Sequence, residues 1–166
     1  MRLRRLPRTA VEAGRLARAL NEVFADGPLA RETRRARRGE EVPARWGQLW
    51  TRLVEREAKL RQGSASMVFD LGRGPQQQEA AFQAGRSRAH FRESAHSWVD
   101  DYGPLAVDVY MVEAGRLVVI PSLEAEAVAL GFVSGAGWRR SDPSHVEVED
   151  WPLVAGKAVE AWLVSR

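Results

Sequence analysis

The chain has 166 residues, enough for one domain burying roughly 70% of the surface its unfolded form exposes. It has no cysteine, which excludes disulfides and thiolate metal sites, so any bound metal must be held by imidazole and carboxylate, and only His90, His96 and His145 can supply imidazole. Charge is uneven, with a net +8 over residues 1–62 and a net −5 over residues 63–166, and 23 of the 25 basic residues are arginine.

The opening Met1-Arg-Leu-Arg-Arg-Leu-Pro-Arg8 lacks the apolar stretch of a secretory signal, and no run reaches the ~18 apolar residues of a membrane span. The expectation is a protein made in the cytoplasm and not integral to a membrane. Thr9-Ala-Val-Glu12 reads as a capping box, and Leu16, Leu20, Val23 and Phe24 follow at helical spacing, predicting a helix near 9–25 that stops at Asp26-Gly27-Pro28. Residues 28–42, crowded with Arg31, Arg34, Arg35, Arg37 and Arg38, read as a solvated helix or loop.

From Pro43, Trp46, Leu49, Trp50, Leu53 and Val54 share one stripe of a helix running to about Gln62, with Gly63 as its stop. Strands are expected at 66–70, 105–112, 116–120 and 145–148, and further helices at 75–84, 122–130 and 152–164. The pattern is α+β: a small antiparallel sheet with helices packed on it. A basic helical segment, 1–45, is expected to precede the main domain, 46–166, in one compact unit.

Ser94-Ala-His96 precedes the strand Ala106-Val-Asp108-Val-Tyr110, whose period-two alternation puts Asp108 on the face opposite Val107 and Val109. Asp142-Pro-Ser-His145 sets a second imidazole at the start of another strand, with a carboxylate three residues before it. Two imidazoles and a carboxylate form a common catalytic zinc set. The competing readings are a histidine satisfied as an ordinary polar group and a turn-forming aspartate beside proline.

Several separate segments carry a resemblance. Arg73, Gln78, Phe82, Gly85, Arg86 and Ser87 stand at the offsets of a segment found in the zinc D-alanyl-D-alanine carboxypeptidase and L-alanyl-D-glutamate endopeptidase family, which includes phage endolysins. Ser94-Ala-His96 and Gly103-Pro-Leu-Ala106-Val-Asp108 resemble the two ends of its first metal motif. Gly135-Ala-Gly-Trp138 and Asp142-Pro-Ser-His145-Val-Glu147 are similar to its last segment. The chain departs from the pattern in three places. Eleven residues separate His96 from Asp108 where the family has six, Val146 replaces phenylalanine, and Trp138 to Asp142 is one residue short.

The resemblance implies zinc held by His96, Asp108 and His145, with Asp142 as general base. Arg73 is then placed either on the charge developing at the scissile carbonyl or on a substrate carboxylate. Gln78 and Ser94 become positioning residues, Arg86 a substrate contact or a helix-end cation, and His90 stays outside the ligand set. The long 97–102 loop leaves Asp100 and Asp101 as rival ligands.

The implied substrate is the peptidoglycan stem peptide, cut at L-Ala–D-Glu by an enzyme reaching the wall through a holin-type route. D-Ala–D-Ala carboxypeptidase activity and a non-catalytic, zinc-bearing wall-binding module are the alternatives. The basic segment is a solvated face or an attachment to anionic envelope components. Nucleic acid is not the expected partner, because Trp46 and Trp50 sit at core-helix spacing and leave little for base stacking.

Overall fold

The computed structural model describes residues 29–30, 34–91 and 93–164. Strands β1 (Arg34–Ala36), β2 (Met67–Leu71), β5 (Ala106–Glu113), β8 (His145–Val148) and β7 (Phe132–Ser134) lie side by side in that order, every neighbouring pair antiparallel. Strand β6 (Arg116–Val118) pairs with the far end of β5. A separate two-stranded ribbon joins β3 (Val99–Asp100) to β4 (Gly103–Pro104). Among the described residues four helices complete the α+β fold: α1 (Gly47–Arg61), α2 (Pro75–Gln83), α3 (Leu123–Ala129) and α4 (Trp151–Val164). None among the described residues is long and apolar enough to cross a membrane.

Alternation along β2 and β5 divides the sheet into two chemically distinct faces. Phe69, Leu71, Val107, Val109, Met111 and Val146 point to one face and are fully or almost fully buried against Trp46, Leu49 and Leu53. Each such side chain contributes about 1.5–3 kcal/mol by leaving water. Trp46 also donates from Nε1 to Pro104 O at 2.9 Å, which ties the start of α1 to the β3–β4 ribbon. On the other face Asp70, Asp108 and His145 stand in one row, since Asp108 is the direct cross-strand partner of both. The apolar face supplies the folding energy, and that leaves the polar row free for chemistry.

Most elements lie within a residue or two of expectation. Strand β1 does not: Arg34–Ala36 is an edge strand on β2, where a solvated helix or loop was expected. The reason is tertiary, because β2 offers an unpaired edge, Ala36 is small enough to be wholly buried against it, and Arg35 reaches Asp70 at 2.7 Å. The expected helix at 9–25 lies outside the described residues. The 97–102 segment is a tight ribbon, with Asp100 ion-paired to Arg45 and accepting from the Tyr102 backbone N–H at 2.9 Å. Strand β7, three residues long, carries no sequence signal of its own.

Candidate metal centre

His96, Asp108 and His145 come to one point from three elements. His96 lies in a 3-10 turn, Ala95–Ser97, capped by Ser94, whose Oγ accepts the His96 backbone N–H at 3.3 Å. The His96 carbonyl accepts Arg73 N–H at 2.7 Å, so its backbone is held on both sides. Asp108 projects from mid-β5 and His145 opens β8 directly opposite it. A close approach makes that opening possible: a Cβ on Gly135 would stand 2.6 Å from Asp142 O and 3.0 Å from His145 Cβ.

His96 Nε2 lies 3.0 Å from His145 Nδ1 and 3.2 Å from Asp108 Oδ1, and His145 Nδ1 lies 3.3 Å from the same oxygen. Three donors with bonds of about 2.0–2.1 Å to a tetrahedral ion would be separated by about 3.3 Å. The triangle therefore has the dimensions of one face of such a coordination sphere. Among the described residues this is the His and carboxylate group able to hold a metal ion. His145 Nε2 lies 3.0 Å from Glu147 Oε2, a carboxylate–histidine pairing that orients the ring and turns Nδ1 toward His96 Nε2 and Asp108 Oδ1. His96 Nδ1 is buried and makes no hydrogen bond among the described residues.

The electrostatics of the three groups are coupled. Burial pushes Asp108 up, but the charge of His96, hydrogen bonds from both imidazoles and Arg73 hold its carboxyl well below the usual carboxylate range. Burial drives His96 down against the pull of Asp108. In His145 the same burial is outweighed by the hydrogen bonds to Asp108 and Glu147, which raise it to about 9.

The remaining expected residues surround this centre. Arg73 donates from NH2 to Asp108 Oδ2 at 2.7 Å and from NH1 to Gln78 Oε1 at 3.2 Å, so its guanidinium holds the candidate ligand rather than standing free. Gln78, wholly buried, donates onward to Ser87 Oγ and Ala89 O. Asp142 lines the same groove of about 980 Å³ as the three candidate ligands. Its Oδ1 accepts from Ser144 Oγ at 2.9 Å, and the Tyr110 hydroxyl lies 3.3 Å from that Oγ. Arg86 and Ser94 also line the groove. His90 sits away from the ligands, against Phe82 and 3.3 Å from Glu79.

Asp100 is committed to Arg45, and Asp101 is exposed. Sequence reasoning assigned no role to Glu147, although it stands two residues after His145 on the same strand face. It also passed over Ser144 and Tyr110, and it left Trp138, whose ring packs on His145 at 4.8 Å, as a motif residue only.

No protein-family model matches the chain, and no curated protein does. Among solved structures it is similar to the Serratia marcescens L-Ala D-Glu endopeptidase ChiX, with 20% identity over 80% of this chain and 98% of that one. The TM-score is 0.40, a superposition so loose that the chemistry rests on the site itself.

Proposed function

We propose that this chain is a zinc-dependent peptidase acting on the peptidoglycan stem peptide, at the L-Ala–D-Glu bond. The observation that carries the reading is the 3.0–3.3 Å triangle of His96 Nε2, Asp108 Oδ1 and His145 Nδ1 in the wall of a groove that also holds Asp142. The motif resemblance supports it, because the residues it marks as ligands, separated by up to 49 positions, are those that meet in space. Two nitrogens and one oxygen, with no thiolate, suit zinc.

A divalent ion held there supplies Lewis acidity, polarising the scissile carbonyl and making a nearby water acidic enough to attack at neutral pH. The protein's own groups do the rest. Asp142 takes a proton from the attacking water as its oxygen bonds to the carbonyl carbon. It returns that proton to the amine nitrogen as the C–N bond breaks. Ser144, donating to Oδ1, fixes the carboxylate for this transfer. Arg73 keeps Asp108 ionised and aimed, and Gln78 keeps Arg73 in place. The basic N-terminal segment serves as an attachment to anionic envelope components.

The test is digestion of purified peptidoglycan with the zinc-loaded chain, with and without a chelator, and identification of the fragments by mass. New N-terminal D-glutamate, lost on chelation and restored by zinc, is the expected result. Release of D-alanine alone would move the assignment to a D-Ala–D-Ala carboxypeptidase. No release with zinc bound would leave a wall-binding module.

A further inference from the structure

The arginines of the groove fall into two sets, those that meet a carboxylate and those that do not. Arg35, Arg45, Arg52, Arg56, Arg61 and Arg73 each meet a carboxylate. Arg86, Arg88, Arg139 and Arg140 line the groove, and none of them makes an ion pair among the described residues. They arrive on two loops, one after α2 and one after the turn Gly135–Gly137, and the loops are joined where Arg140 NH2 donates to Gly85 O at 3.3 Å. Of the groove's acids, Asp70, Asp108 and Glu147 are paired with Arg35, Arg73 and His145, Asp142 accepts from the Ser144 hydroxyl, and Glu93 accepts the His90 backbone N–H. Four guanidinium groups without an ion pair among the described residues therefore share one groove with the candidate metal centre, against two acids, Glu93 and Asp142, that have no cationic partner there. Their planar forks match a carboxylate, and an anion between them would relieve their mutual repulsion.

We propose that Arg86, Arg88, Arg139 and Arg140 form a carboxylate-binding subsite beside the metal centre, selecting peptides with a free carboxylate next to the bond to be cut. The inference rests on the peptidase reading and sharpens it. In the stem, D-glutamate is linked onward through its γ-carboxyl, so its α-carboxylate stands free directly after the L-Ala–D-Glu bond. In amidated stems the same position is a neutral carboxamide. The subsite makes the acidic stem the preferred substrate.

The probes are two synthetic peptides, L-Ala-γ-D-Glu-L-Lys-D-Ala and its D-glutamate α-carboxamide. A charge-assisted bidentate contact predicts a kcat/KM for the acid roughly 10-fold or more above that for the amide. The preference should shrink in high salt, because exposed guanidinium groups are screened. In the double variant Arg86→Gln, Arg139→Gln the acid-to-amide ratio should fall toward one. If that variant does not fold, Arg88→Gln, on an exposed side chain, should lower the same ratio by a smaller factor.

Binding is read separately by tryptophan fluorescence, since Trp138 lines the groove and is 41% exposed. Equal cleavage of both peptides, or a ratio that survives the arginine substitutions, overturns the subsite and leaves the peptidase reading intact. If neither peptide is cut but the acid binds more tightly, and the substitutions abolish that difference, the subsite stands and the peptidase reading falls. If neither peptide is cut and binding shows no preference, both fall.

Discussion

Glu147→Gln keeps the side chain's length and removes its charge, at an oxygen 3.0 Å from His145 Nε2. For His145 Nδ1 to offer its lone pair to an ion, Nε2 must carry the proton and donate it outward. A carboxylate accepts that proton roughly twice as strongly as an amide oxygen does. Loss of such partners lowers metal affinity about 10–100-fold, or about 1.4–2.7 kcal/mol.

A second effect opposes the first. Glu147 is one of the groups that raise His145 to about 9, so below that pH the wild-type chain must release a proton before it can bind an ion. Because this pKa lies above its value in the unfolded chain, the stability the proton confers on the metal-free fold is complete below about 6.5. It is lost as pH rises through about 9. In the variant the proton competes less. The affinity deficit of Glu147→Gln should therefore be small near pH 6.5 and widen to its full 10–100-fold toward pH 9, measured by competition for zinc against a chromophoric chelator. Equal affinity at pH 9, or a deficit that narrows as pH rises, refutes the reasoning.

Asp142→Asn should lower turnover by roughly 10²–10⁴ with zinc content unchanged, whereas His145→Ala should lose metal and activity together; metal analysis beside peptide hydrolysis separates them, and zinc loss in Asp142→Asn would show that it is a ligand. Gly135→Ala forces a Cβ to within 2.6 Å of Asp142 O, so the Asp142–His145 turn must shift, and zinc content should fall while the circular dichroism of the fold persists. Arg73→Lys replaces a fork that reaches both Asp108 and Gln78 with a single ammonium, so Asp108 is held less firmly and zinc affinity should fall more than kcat at saturating zinc. Leu53→Ala removes a wholly buried side chain beneath the sheet and should cost about 2–5 kcal/mol in chemical denaturation, with no direct effect on the groove.

The helices and longer strands were legible because their signals are local. The Trp46, Leu49, Leu53 stripe marks one face of α1, and the valine alternation of β5 turns Asp108 away from the core whatever surrounds it. The candidate ligands could be named from the motif segments for the same reason: residue type and spacing within a few positions carry the resemblance. What spacing cannot carry is partnership across the fold. Strand β1 exists because β2 has an edge to fill, and β7 because β8 does. That Asp100 serves Arg45 while Asp108 meets the imidazoles depends on antiparallel registers that set Asp108 opposite His145. Arg73 turns inward to Asp108, and the arginines of two distant loops share one groove. Hydrophobic periodicity is written residue by residue, but pairing between charges tens of positions apart exists only once the sheet has closed on its core and brought them within a few ångströms.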